Sequence, residues 1–434
     1  MSINKERAWE TLKALSFERV TGTEDEKRAA ELLKSICEKA GVEAWLEPYE
    51  IVQTSIDKVE LSVLGENGKT YNVIGVGGSG STPDEGIVAP FVYIEDASDA
   101  TLGYVKGKIA VTNGMVNAKT CRRLKELGAL AFVSVHGGLW DDERLVKEPR
   151  PKDMRGKKSP EFPGVSMRIE DMEALVRDHK GDELRLVIKT ERQMVTAHNV
   201  VAVIPGTRMP EEEVVLTAHY DSVRWSSGAW DNATGSVAIM EMFHHYLANK
   251  PDRTVRFVWC GSEEIGLKGS EKYCEAHKDD LKKIIYNVNF DMLGNTLGQR
   301  YFACSACEEV LHAFQFFAKV KGIAFNSKLE LASSDSTSFA KAGVPSSTIG
   351  KGAPRGGAEI HSYHDMIERL DPDTLYRDVN FSLEYVDMVV NAAVNPIPKE
   401  LSKAVKEKID QAAKRMAEID GEEKKDEKKD EEKK

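Results

Sequence analysis

The chain has 434 residues, of which 41% are hydrophobic and 30% charged, with a formal net charge of −11 and a pI near 5.6. An acidic balance without a basic face argues against nucleic-acid binding. No apolar run is long enough to span a membrane, and six cysteines in a chain this long do not make the disulfide framework of a small secreted domain. Residues 1–7 carry no signal-peptide core, so a cytoplasmic location is expected, in a chain large enough for two or more domains.

Ala8, Trp9, Leu12 and Leu15 keep helical spacing, and a second helix opens with the capping box Thr23-x-x-Glu26 and carries Leu32, Leu33, Ile36 and Ala40 on one face until Gly41 stops it. Residues 42–74 read as strands with turn signals at Gly65-Glu66-Asn67-Gly68. The pattern changes at Gly77-Gly78-Ser79-Gly80-Ser81: a strand over 105–111, a helix over 119–126, a strand over 129–135, the segment Pro163-Gly164-Val165-Ser166 and a short helix over 170–176. Apolar strands return at 197–204, and a last long helix over 375–393 shows Leu375, Val379, Leu383, Val386 and Val390 at helical spacing before Pro396 and Pro398 end it. Leu401, Val405, Ile409, Ala412, Met416 and Ile419 form a narrow apolar stripe suited to a docking or coiled-coil helix, and 422–434, alternating Glu, Asp and Lys, should be disordered. The expected organisation is a discontinuous domain of 1–75 and 193–397, an insert of 76–192, a helix over 398–421 and a charged tail over 422–434.

The chemistry sits in the second half. Four apolar runs suit buried parallel strands, and each ends in acid or imidazole: 214–218 delivers His219, 255–260 delivers Glu263 and Glu264, 284–290 delivers Asp291, and 345–349 leads into the loop of His361. Asp231 stands in Trp230-Asp231-Asn232-Ala233-Thr234-Gly235. In open α/β sheets ligands bind beyond the carboxyl ends of the strands, so these groups should meet at one rim. Imidazole plus carboxylate oxygen suits zinc, with cobalt or manganese as substitutes. Two His and three carboxylates exceed the needs of one tetrahedral ion and suit two ions, ~3.5–4 Å apart, sharing a bridging carboxylate. Glu263 is then left over as general base, and Asp221, two residues after His219, is placed to orient the imidazole.

At these residues the chain resembles the family-28 metallopeptidases, the co-catalytic di-zinc group of bacterial aminopeptidases and glutamate carboxypeptidases. The resemblance spans roughly residues 20 to 395 and rests on His-x-Asp, Asp-Asn-x-x-Gly, Glu-Glu-x-Gly-x-x-Gly-Ser, Phe-Asp-Met and His-Ser-x-x-Asp in the family's order. It implies a three-layer α/β/α phosphorylase/hydrolase-like zinc exopeptidase domain with a mixed sheet. One zinc would be held by His219 and Asp291, the other by Glu264 and His361, with Asp231 bridging and Glu263 as proton shuttle. The family pattern selects His361 over His364, since the ligand stands four residues before the Asp. In Ser334-Asp335-Ser336-Thr337-Ser338-Phe339, Ser336 stands where the family often has His. The 76–192 segment is similar to the protease-associated domain inserted in many of these enzymes, a β-rich α/β unit, on Gly107-Lys108-Ile109 and Leu127-Gly128-Ala129.

The implied function is a zinc-dependent aminopeptidase that removes N-terminal residues from peptides by metal-activated water. A glutamate-carboxypeptidase-type enzyme stays open because Arg224 and Arg355 lie in site-proximal segments and could meet a terminal carboxylate. A glutaminyl cyclase and a catalytically silent receptor-like binder are the readings from other classes. Peptides are the expected partners, without nucleic acid or membrane, and homo-oligomer contacts through the insert or the C-terminal helix are left open. Cys304-Ser305-Ala306-Cys307 has redox-motif spacing without the βαβ entry and reads as incidental small or buried residues, with a local disulfide or a substrate-loop thiol as the minor alternative. His244-His245 reads as a structural pair on a helix, and Gly352, Gly356 and Gly357 as a loop with no phosphate fingerprint.

Overall fold

The structure is a computed structural model and describes residues 3–66, 68–114, 116–138, 161–354 and 359–414. Arg355, Gly356, Gly357, Met416, Ile419 and the 422–434 tail lie outside the described residues. The chain forms two compact units, Met1–Glu50 with Thr196–Lys434, and Ile51–Val195.

The first unit is built on a mixed sheet. Strands Met209–His219, Arg253–Cys260, Ile284–Asp291 and Ser346–Gly352 run parallel, ordered 346–352, 284–291, 209–219, 253–260. Gln299–Ser305 pairs antiparallel beyond Ser346–Gly352 and carries Asn326–Leu329 at the edge, while residues 200–204 pair antiparallel with Arg253–Cys260 on the other side. Residues 213–219 and the other three parallel strands are buried on both faces almost throughout, as their near-continuous apolar runs require.

Because side chains alternate along a strand, each strand feeds two cores. Val200, Ala202, Ile204, Val214, Leu216, Val255, Phe257, Trp259, Val288 and Phe290 face helices Lys5–Leu15, Glu24–Lys39, Thr234–Ala248, Glu308–Val320 and Pro372–Val390. Val201, Val215, Val258 and Cys260 face the opposite way, against Tyr273 and Cys274 of helix Lys268–Ala276 and Phe339 of helix Ser336–Lys341. Helices thus cover both faces of the sheet. The 403–414 segment is helical, and its Val405 and the preceding Leu401 are buried.

The Thr23 side chain caps the second helix by accepting from the Glu26 amide. The expected capping box is only half made, because Glu26 is buried and its carboxylate is taken by the Tyr220 hydroxyl rather than returned to the cap.

The second unit has its own cores. Strands Ile87–Tyr93, Ile109–Val111, Ala131–His136 and Gly164–Arg168 pair parallel in that order, with Val73–Gly75 antiparallel at one edge and residues 183–186 antiparallel at the other. Helices Ala118–Glu126 and Ile169–Asp178 supply Cys121, Leu124, Met172 and Leu175 to these cores. Leu61, Val63, Tyr71 and Val73, expected with the first unit, share a core with Phe91, Val111 and Val165 and fall in the second. The chain passes between units inside two long strands, Ala44–Val63 and Glu183–Ile204.

The N-terminal helix is tied to the helix that follows Asp231. Glu241, 1% exposed, accepts from Arg7 Nε and Nη2 at 2.6 Å each and from the Asn4 amide at 2.9 Å. Arg7→Ala should lower the unfolding free energy by about 2–3 kcal/mol, below the ~3–5 kcal/mol of a fully enclosed pair because Arg7 is 40% exposed. A urea-unfolding midpoint equal to that of the parent would show that the pair contributes nothing.

Candidate metal centre

The strand register sets the site. Cys260 pairs with His219, Asn289 with Thr217, and Asp291 with Gly350, so the parallel strands end on one level and present their last side chains together. Asp231 arrives from the other direction, on the turn Ala229–Ala233 that opens helix Thr234–Ala248. Gly235 lets that helix approach the sheet: a Cβ there would lie 2.3 Å from the Phe290 carbonyl oxygen and 2.4 Å from Asn232 Oδ1.

Two clusters result, and they share Asp231. His219 Nε2 lies 3.1 Å from Asp231 Oδ1 and 3.6 Å from Asp291 Oδ1. His361 Nε2 lies 3.2 Å from Asp231 Oδ2 and 3.0 Å from Glu264 Oε2. The ligand-type atoms of each triad fall within 4.8 Å of one another. His364, next to the Tyr363 ring, belongs to neither triad.

The donor set fits a metal. Glu264 Oε1 and Asp291 Oδ1 are buried and accept no hydrogen bond among the described residues, an expensive state for carboxylates unless a cation takes up the lone pairs. The field points the same way. Burial opposes charge on His219, yet Asp221, Asp231 and Asp291 hold its pKa well above the ordinary imidazole value. Burial likewise opposes charge on His361, but Glu264 and Asp231 push it up to about 11. Glu263, half-buried at the same rim, is shifted well upward by burial, with Glu264, Asp335 and Asp291 adding to the shift and His219 opposing it.

Surrounding groups fix these side chains. Asp221, fully buried, accepts from the Glu263 amide at 3.0 Å, the Glu264 amide at 3.2 Å and Thr21 Oγ1 at 3.0 Å, and its Oδ1 lies 3.5 Å from His219 Nδ1. It therefore orients both the imidazole and the Glu-Glu turn. Asp365 accepts from the Trp230 amide at 2.7 Å and the Asp231 amide at 3.1 Å, which ties the His361 loop to the Asp231 turn. Burial pushes its pKa up to about 7. Ser334 Oγ donates to Asp291 Oδ2 at 2.6 Å and itself accepts from Asn289 Nδ2 at 2.6 Å. Ser262, Met292 and His361 hold left-handed backbone (φ 58°, 63° and 60°), a conformation costing roughly 1–2 kcal/mol per residue, next to or at the site.

Asp365 and Ser334 stand inside motifs that the sequence displays, but the backbone amides and carboxylate they serve are distant in sequence; Thr21 carries no sequence signal. Arg224 is half-exposed on the loop between His219 and Asp231. His244 and His245 lie on helix Thr234–Ala248, outside both triads. Cys304 and Cys307 are buried free thiols, not a disulfide.

A doubly covered α/β sheet with imidazoles and carboxylates converging beyond its strand ends has the layout of a metal-dependent hydrolase. Residues 199–386 match the model of Peptidase family M28, and the chain is similar to peptide hydrolases of that family. It is 28% identical over 408 residues to aminopeptidase YwaD of Bacillus subtilis, covering 88% of this chain and 82% of that protein. Carboxypeptidase Q of Xenopus laevis is 27% identical over 381 residues, covering 82% and 79%. Among solved structures, the fold matches BSAP, a zinc aminopeptidase from Bacillus subtilis, with a TM-score of 0.77 at 24% identity, over 92% of this chain and 99% of that one.

Asp221→Asn would turn an amide group toward the Glu263 or Glu264 N–H. Zinc affinity, measured by competition with a chromogenic chelator, should fall about 10–100-fold with far-UV circular dichroism unchanged. Parental affinity in this variant would remove Asp221 from the support of the site.

Proposed function

We propose that the protein is a zinc-dependent exopeptidase, an aminopeptidase that removes N-terminal residues from peptides. The observation that carries this reading is the Asp231 carboxylate, with Oδ1 3.1 Å from His219 and Oδ2 3.2 Å from His361, as a bridge between two half-sites needs to be. Two zinc ions are proposed, one held by His219 and Asp291 and one by Glu264 and His361, with Asp231 shared; cobalt or manganese would substitute. Zinc would supply Lewis-acid polarisation of the scissile carbonyl and acidification of water.

The remaining work falls to the chain. Glu263 is not in either triad and is held at the rim by its own amide on Asp221. Its carboxylate takes the proton of the attacking water and returns it to the leaving amine. Burial shifts its pKa upward, the direction that makes a carboxylate a stronger base for the water proton. The carboxylate surplus at the rim favours a positively charged substrate amine, which is the basis for cleavage from the amino end. The relatives named aminopeptidase agree with that polarity. Cleavage from the carboxyl end is kept as a second reading because other relatives of similar identity are named carboxypeptidase Q.

The Ile51–Val195 unit is proposed to be a protease-associated-like domain, its parallel strands flanked by antiparallel edges and two helices. All six cysteines are buried and outside any disulfide, which supports a reducing, cytoplasmic setting. No described helix is long and apolar enough to cross a membrane.

Glu263→Gln should keep zinc content while kcat falls by at least ~10²-fold, the scale of a lost general base; undiminished turnover would take Glu263 out of the mechanism. Chelation should abolish release of residues from aminoacyl reporter peptides, and zinc should restore it. Release only from the carboxyl end of a matched panel would reverse the proposed polarity, and metal binding without any hydrolysis would point to a silent binder.

A further inference from the structure

Arg19 is 0% exposed, yet it forms no ion pair among the described residues. Its guanidinium is spent on carbonyl oxygens instead. Nε donates to Tyr220 O at 2.6 Å, Nη1 to Ser227 O at 2.7 Å and Phe17 O at 2.6 Å, and Nη2 to Gly228 O at 2.9 Å; Nη1 also reaches Leu15 O. The backbone adds two bonds, Ser222 N to Arg19 O at 3.1 Å and Arg19 N to Ser222 Oγ at 2.8 Å.

These partners are not scattered. Tyr220 directly follows His219, and Ser227 and Gly228 directly precede the turn that carries Asp231. Both segments are irregular: Gly228 O also accepts from the Ala233 amide at 3.0 Å, whereas Tyr220 O and Ser227 O lie outside any strand or helix and take their donors from Arg19. One rigid, planar fork bonds both at once. Gly228 is shaped to allow it: at φ 56° a Cβ there would sit 2.8 Å from Arg19 Nη2 and 2.6 Å from Ser222 Cβ.

We propose that Arg19 is a positioning residue of the metal centre, clamping the segment after His219 to the segment before Asp231 and so setting the spacing of the half-site formed by His219, Asp231 and Asp291. This rests on the reading of those three residues as ligands. Charge adds to geometry. Burial lowers the Arg19 pKa to about 10, opposed by the field of Asp365, Asp221, Asp231 and Glu264, so the guanidinium stays charged at neutral pH and moderates the repulsion among those carboxylates.

A purely stabilising role is the competing account, and the molecule contains its control. Arg253 is also 0% exposed and bonds carbonyls of Val389 (3.2 Å), Val390 (3.2 Å) and Ala392 (2.6 Å), together with Glu212 at 2.6 Å. It stands at the start of strand Arg253–Cys260, the end away from His219.

The experiment compares the full chain with Arg19→Lys and Arg253→Lys, by chelator competition for zinc, by kcat and KM at saturating zinc and by thermal unfolding. Lysine keeps the charge and loses the fork. Arg19→Lys is expected to weaken zinc binding about 10–100-fold and to lower kcat with KM nearly unchanged, whereas Arg253→Lys should lose thermal stability and keep parental zinc affinity. Parental zinc affinity in Arg19→Lys, or an equal loss in Arg253→Lys, overturns the proposal. Should Arg19→Lys fail to fold, Gly228→Ala, which forces the loop off Nη2, is read by the same zinc competition with the same two outcomes. A parent chain that binds no zinc sinks the reading of the ligands and this inference with it; a parent that binds zinc beside an unaffected variant sinks the inference alone.

Discussion

The arrangement at the rim depends on one buried carboxylate facing two imidazoles. Asp231 is 6% exposed, and its oxygens lie 3.1 Å from His219 and 3.2 Å from His361. Asp291 and Glu264 crowd the same space from either side. Burying that many acids together is costly unless positive charge is supplied, and the two histidines supply it only by taking protons they hold unusually tightly. On the proposed reading, a pair of divalent cations would resolve the same imbalance while leaving the imidazoles neutral.

Holding such a cluster requires that each acid be fixed before a cation arrives, and the chain does this mostly with backbone. Asp221 and Asp365 each accept two amides from a neighbouring loop, Asn232 Oδ1 accepts from Gly235 N and Met292 N, and Arg19 serves the carbonyls of three segments. Beneath the rim, Thr217, Asn289 and Ser334 form a buried polar chain that ends on Asp291. Loops that carry the proposed ligands are therefore bonded to one another rather than left to sample alternatives.

How much of this was legible follows from locality. A buried parallel strand is a short apolar run, and its last residue is adjacent in sequence, so His219, Glu264 and Asp291 can be read from single segments. His361 needed its motif, because it lies well along the loop that follows strand Ser346–Gly352 rather than at the strand's end. Arg19 was out of reach, since its partners Tyr220 and Gly228 stand 201 and 209 residues away and are carbonyls that any residue type provides. The boundary near residue 51 was equally hidden: it falls within the 20-residue strand Ala44–Val63, with no glycine or turn to mark it. The capping box at Thr23 showed the opposite failure, where a correct local motif was half overridden when Tyr220 claimed the Glu26 carboxylate.

The shared level of the strand ends has a consequence for assembly of the molecule. Cys260 opposite His219 and Asp291 opposite Gly350 are single-residue alignments. A slip of one position would turn the delivered side chain to the other face and move it by about 3.3 Å. Chains that collapse with a misaligned central sheet would retain a greasy interior but would lack a competent set of ligands. On the proposed reading, cation capture acts as proofreading: it rewards one registry among several of similar apolar content, so the ion that enables chemistry also selects the correctly threaded sheet.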